Sequence, residues 1–212
     1  MNPSAHHPLA GFPAASQVVD FCERFSRDDG AWDRAAQGQR GTLWPLIRGI
    51  HESNAAIWSE EDLARRRHAP DAEIAANKRT IDRLNQLRND LVEQCDETIW
   101  ALLDGTMRRA SRLNSETPGQ MIDRLSILSL KIAAMRLQAE RNDVDREHRE
   151  SCAVRLARLG EQRADLAACF DTLIADCAAG RARFKLYRQF KMYNDPRFNP
   201  VLVAERRAQQ PR

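Results

Sequence analysis

Residues 152–177 read CAVRLARLGEQRADLAACFDTLIADC, and the spacing of their apolar positions decides the fold. Cys152, Leu156, Leu159, Arg163, Leu166, Phe170, Leu173 and Cys177 follow one another alternately four and three residues apart. That rhythm is the seam of a helix laid along another helix, close to a coiled coil. No proline interrupts it, and Gly180 just beyond offers a C-terminal cap. The partner helix should precede it in the chain, across a turn near Asn142 to Asp145.

That partner begins at TPGQMIDRLSILSLKI, residues 117–132. Thr117 as N-cap, Pro118 in the first turn and Gln120 three residues after the cap make a capping box. Ile122, Leu125, Leu128, Ile132 and Met135 then form its apolar face. Residues 104–117 read as a connection, and upstream of it Asp71 to Asp104 again has helical period through Ile74, Ile81, Leu84, Leu91, Cys95 and Leu102. Some 33 residues there would span about 50 Å. A further helix is expected over 43–68, with Pro45 tolerated in its first turn and Pro70 ending the run. Its stripe is Leu43, Ile47, Ile50 and Ile57. The tetrad Ile-Asp-Arg-Leu occurs at 81–84 and again at 122–125, but two copies do not make a solenoid, and a shared helical edge accounts for them better than a duplicated hairpin.

A short helix is expected from Ser16, with Val18, Cys22 and Phe25 on one face, until Asp28-Asp29-Gly30. Another is expected in RARFKLYRQFKMYNDP, residues 181–196, with Arg181, Lys185, Arg188 and Lys191 opposite Phe184, Tyr187, Phe190 and Tyr193. The expected fold is therefore all-α: a bundle of two antiparallel long helical hairpins with short flanking N- and C-terminal helices. Residues 1–15 read as a disordered N-terminal segment, 16–195 as a single helical-bundle domain, and 196–212 as a basic C-terminal tail.

Composition agrees. A chain of 212 residues, 42% hydrophobic, can bury one core. It contains no run of about 18 apolar residues, so no membrane span is expected, and its start lacks the pattern of a secretory signal. Five cysteines without a C-x-x-C pair suggest reduced thiols and a cytoplasmic location. Net charge is +3, with nine basic residues against two acidic ones in residues 181–212, and the rest of the chain is acidic. That modest, uneven charge does not favour a nucleic-acid partner.

Function must be sought in polar residues placed where the stripes should be apolar. Asn54, Glu61, Asn77 and Arg88 fall there, and each needs a partner if buried. They serve either as a polar layer setting helix register or as a ligand site. Trp58, Asp62, Arg65, Asp82, Asn85, Asn89, Asp123, Ser126 and Lys131 flank them. Glu93 and Asp96 form an E-x-x-D pair, half of the carboxylate pattern with which all-α nucleotide pyrophosphohydrolases hold magnesium. The other half is missing, since Glu60, Glu61 and Asp62 have the wrong spacing, so no metal ligand is assigned. No nucleophile elbow, Walker loop or dinucleotide glycine pattern is present, no catalytic residue is assigned, and no cofactor is expected. His51 reads as a packed core imidazole.

The segments NAAIWSEEDLAR, IDRLNQLRND, ETPGQMIDRLSILSLK and FKLYRQFKMYND, in this order from Asn54 to Asp195, resemble a bacterial all-helical family known as domain of unknown function 4254. The resemblance implies one helical domain and a neighbourhood of genes for cell-envelope glycan synthesis, and it brings no reaction with it. Its matching positions include Asn54, Trp58, Glu61, Asp62, Asp82, Asn85, Arg88, Asn89, Thr117, Pro118, Asp123, Arg124, Lys131, Tyr187, Lys191, Tyr193 and Asn194. Together these readings lead to a small anionic or sugar-containing ligand in an interhelical polar cleft. Asn54, Glu61, Asp62, Asp82, Asn85, Arg88, Asn89, Asp123, Lys131 and Lys191 are its expected contacts. The competing readings are a scaffold that docks a protein partner, such as a glycosyltransferase, through its seams and basic C-terminal helix, and a metal-dependent pyrophosphohydrolase. Oligomeric state stays open at this level.

Overall fold

A computed structural model describes residues 12–25, 43–190, 192 and 195–209. Among the described residues, six α-helices and a pair of two-residue strands follow in order: α1 (Ala15–Phe25), α2 (Trp44–Leu63), α3 (Asp71–Leu103), β1 (Arg112–Leu113), α4 (Pro118–Ala139), α5 (Arg146–Ala178), β2 (Ala182–Arg183) and α6 (Pro200–Gln209). The protein is all-α, as the periodicity requires. No described helix is long and apolar enough to cross a membrane.

α2 packs chiefly on α3, and α4 on α5. Along the first pair Glu60 meets Asn77, Asn54 meets Arg88 and Gly49 lies against Leu91, so the two helices run in opposite directions. α2 stops at Leu63, earlier than expected: the Arg65 and Arg66 N–H groups bond to the Asp62 and Leu63 carbonyls, three residues back, in turns that replace the helical pattern. Residues 140–145 join α4 to α5, and the Asp145 side chain caps α5 by accepting from the His148 backbone N–H at 2.7 Å. The α4 capping box forms as read: the Thr117 hydroxyl accepts from the Gln120 N–H, and the Gln120 side chain accepts from the Thr117 N–H at 3.0 Å.

The α5 seam is buried at Cys152, Leu166, Phe170, Leu173 and Cys177 and half-buried at Leu156, Leu159 and Arg163. Arg163, the one charged residue in it, pairs with Glu23 of α1 at 2.7 Å. α1 lies on α4 and α5 and adds Ala15, Val18, Phe21 and Cys22 to the core. Residues 1–11 lie outside the described residues. Phe12 to Ala15, assigned to the disordered start, are packed instead: Phe12 is buried and stacks on Phe170 at 6.0 Å, and the Ala15 N–H donates to Asp171 at 2.8 Å.

The C-terminal segment differs from the reading. No helix begins at Arg181. Gly180, at φ 71°, turns the chain, and Ala182–Arg183 pair in parallel with Arg112–Leu113. In RARFKL the apolar residues 182, 184 and 186 alternate with basic ones, which is the period of a strand, and Ala182 and Phe184 are the buried pair. Residues 184–190 continue without helix, and α6 lies instead within the stretch read as a tail.

Candidate functional site

Asn54, a polar residue in the α2 stripe, is 4% exposed and organises a network across three helices. Its amide nitrogen donates to Asp123 Oδ1 at 2.7 Å and to Ser126 Oγ at 3.1 Å, both on α4, and its oxygen accepts from Arg88 Nη1 of α3 at 3.4 Å. Arg88 Nε stands 3.9 Å from Asp123 Oδ2, and Arg88 Nη2 reaches Asn89 Oδ1 at 3.4 Å. Burial pushes the Asp123 carboxyl up, against the pull of Asn54 and of the Arg88 charge. Beneath this layer His51 Nδ1 lies 2.8 Å from Ser126 Oγ. Ser126 Oγ, which also accepts from Asn54, ties the ring to the network through one nitrogen and leaves Nε2 as the other. That Nε2 has no hydrogen-bond partner; the ring stands perpendicular to Phe25, centroids 5.0 Å apart. Burial lowers the His51 pKa to about 4, so the imidazole is neutral near pH 7.

Above the network opens a cavity of about 330 Å³, lined by Asn54, Trp58, Glu61, Asp62, Arg88 and Lys131, with Arg65 at its edge and Ile57, Ile127 and Leu130 supplying apolar wall. A groove of about 680 Å³ adjoins it, sharing Trp58, Asp62 and Lys131 and continuing over Met135 and Leu159 between Arg155 and Arg158 of α5. The combined lining carries five cations, Arg65, Arg88, Lys131, Arg155 and Arg158, against the carboxylates of Glu61 and Asp62. Arg65 is held by Glu61 and Arg88 by the network. Among the described residues, Lys131, Arg155 and Arg158 have no carboxylate within ion-pairing distance. Trp58 is 37% exposed at the junction, an aromatic face with water on one side.

The ten expected contacts divide accordingly. Asn54, Glu61, Asp62, Arg88 and Lys131 line the cavity, and Asn89 and Asp123 support it from behind. Glu61 and Arg88 share the cavity but each has a different partner. Asp82 turns away and pairs with Lys78 at 2.9 Å, because six residues at 100° set it about 120° around the helix from Arg88. Asn85 is half-buried and outside the lining. Lys191 lies outside the described residues. Arg155 and Arg158 were not anticipated; they sit three residues apart on the exposed side of α5, where nothing in the sequence separates them from a solvated face.

Glu93 and Asp96 have structural partners. Glu93 accepts from Arg188 Nη1 at 2.7 Å and from the Gln189 N–H at 2.9 Å. Asp96, 6% exposed, accepts from the Gly119 N–H at 2.6 Å and from the Thr117 hydroxyl, so α3 caps the α4 N-terminus. Gly119 permits this approach, since a Cβ there would lie 2.7 Å from the Val92 carbonyl oxygen. Burial raises the Asp96 pKa to about 6 despite those two donors. Among the described residues, no three His, Cys, Asp or Glu side chains are grouped to hold a metal ion.

A family profile described as "Protein of unknown function (DUF4254)" matches residues 44–186. No curated protein and no solved structure matches the chain.

Proposed function

Because the chain belongs to the family of unknown function DUF4254, whose description brings no reaction with it, we propose from its geometry that it binds a small anionic, sugar-containing ligand in the groove between α2, α4 and α5. The observation that carries this reading is the convergence of Lys131, Arg155 and Arg158, none paired with a carboxylate among the described residues, beside the half-open ring of Trp58. Unpaired cations around a cleft of several hundred Å³ suit phosphate or carboxylate groups, and an aromatic face at its junction suits a sugar or base ring. Asn54 would meet hydroxyl groups at the cavity floor, held in place from behind by Asp123 and Arg88. The implied link to cell-envelope glycan synthesis makes nucleotide sugars the first ligands to try. A cytoplasmic location belongs to the same proposal, where the five free thiols would persist.

Thermal-shift measurement against nucleotide sugars and sugar phosphates tests it. At least one should raise the melting temperature of the native chain, and the double variant Lys131→Ala/Arg158→Ala should show a clearly smaller rise while melting unliganded as the native chain does. Absence of any rise across the panel, or a rise undiminished in the variant, would contradict the proposal. Glu93 and Asp96 are engaged in holding Arg188 and the α4 N-terminus, so the magnesium-dependent reading has no comparable support in the geometry.

A further inference from the structure

A separate cavity of about 340 Å³ opens beyond the C-terminal end of α3, between the α3–β1 connection and β2. Its nearest lining residue on α3, Trp100, is 12 residues along the helix from Arg88, roughly 18 Å down the axis, and the cavity shares no lining residue with the groove. Arg108, Arg109, Arg183 and Lys185 line it together with Trp100, and Asp104 is its one acidic member. Among the described residues none of these four cations has a carboxylate within ion-pairing distance. Their neighbours do: Arg112 and Arg181 pair with Asp176, and Arg188 pairs with Glu93 and Glu97. Carboxylates are thus plentiful nearby, yet the four cations around the cavity are left to repel one another. Arg183 Nε is also closed off from solvent without an acceptor, which is unfavourable until one arrives.

The cluster does not float on loose chain. Thr106 Oγ1 donates to the carbonyls of Leu103 at 2.7 Å and Cys177 at 2.9 Å, and Ser111 Oγ donates to the Gly180 carbonyl at 2.6 Å. The Arg112 N–H reaches the Arg181 carbonyl at 3.1 Å, and the Asn114 N–H reaches that of Arg183 at 2.8 Å. The left-handed turn at Gly180 brings these two segments side by side. The four cations are therefore presented by a braced backbone, an arrangement that favours a multiply charged anion over separate water contacts.

We propose that this cavity is a second binding site, for a small diphosphate-bearing ligand whose phosphates meet Arg108, Arg109, Arg183 and Lys185 and whose remainder lies against Trp100. The site is independent of the groove, and each contains one tryptophan, so the two can be read separately. In ¹⁵N-labelled native protein, with indole signals assigned through Trp58→Phe and Trp100→Phe, titration with inorganic pyrophosphate should shift the Trp100 signal to saturation. Inorganic phosphate should bind more weakly, and ADP should perturb Trp100 more than pyrophosphate does. Arg109→Ala/Lys185→Ala, which alters two exposed side chains, should weaken pyrophosphate at least tenfold with the rest of the spectrum preserved. A Trp100 signal that stays still, that follows sodium chloride equally, that responds to phosphate as strongly as to pyrophosphate, or that keeps its full response in the variant would overturn the proposal.

Discussion

Replacing Asp96 by asparagine should remove a defined part of the pH dependence of folding. Asp96 is buried at the α3–α4 contact, where it accepts from the Gly119 N–H and the Thr117 hydroxyl, and its pKa rises from 3.8 to about 6 on folding, mainly through burial. Below pH 3.8 the group is protonated in both states and contributes no pH dependence. Between 3.8 and about 6 the unfolded chain loses its proton while the folded chain keeps it, so stability falls as pH rises. Above 6 both are ionised and the full difference persists. The shift corresponds to about 3 kcal/mol at 1.36 kcal/mol per unit. Asp143 and Asp195, with pKa values near 2, titrate in the opposite sense at lower pH, so the useful quantity is the difference between native and variant chains. Asparagine keeps the shape and can still accept from Gly119. Urea denaturation at pH 3.5 and 7.5 should show the variant gaining about 3 kcal/mol relative to the native chain between the two. A difference that does not change with pH would refute the assignment of Asp96 as a carboxylate held in the fold at the expense of its charge.

Other expectations follow from the same packing. Gly119→Ala would push a methyl group to 2.7 Å from the Val92 carbonyl oxygen and 2.8 Å from Asp96 Oδ1, and should lower unfolding free energy by more than ~2 kcal/mol in the same assay. Phe170→Ala removes a fully buried ring that stacks on Phe12 and should lose about 3–5 kcal/mol. Hydrogen exchange of α1 should rise with it. Asn54→Leu strips the donor from Asp123 and the acceptor from Arg88, and should destabilise by at least ~2 kcal/mol by leaving buried polar groups unpaired. Arg65→Ala, which breaks exposed contacts with the Glu61 carboxylate and backbone carbonyl, should change stability by less than about 1 kcal/mol.

The helices were legible because burial imposes a period that substitution can hardly disguise. The α5 seam, the Thr117 capping box and the turn before Arg146 all lie where the sequence placed them. The polar interruptions were legible for the complementary reason: Asn54 and Arg88 break an apolar stripe, and the structure supplies their partners on a third helix, Asp123 and Ser126, which no local pattern could pair with them. Two kinds of information were missing. Arg155 and Arg158 matter because α5 lies beside α4, and a cation facing a groove has the same local sequence as one facing water. The stretch RARFKL fits both a helical wheel and a strand alternation, and the choice was made by backbone pairing with residues 112–114, about 70 positions earlier in the chain.

The groove itself can be tested most directly through Trp58, which stands where its two parts meet. During titration of the native chain with a nucleotide sugar that raises its melting temperature, the assigned Trp58 indole signal should shift to saturation with the same affinity that the thermal measurement gives. That response should be clearly weaker in Lys131→Ala/Arg158→Ala. A ligand that stabilises the protein while leaving Trp58 unmoved would contradict the account, because binding would then lie somewhere other than between α2, α4 and α5.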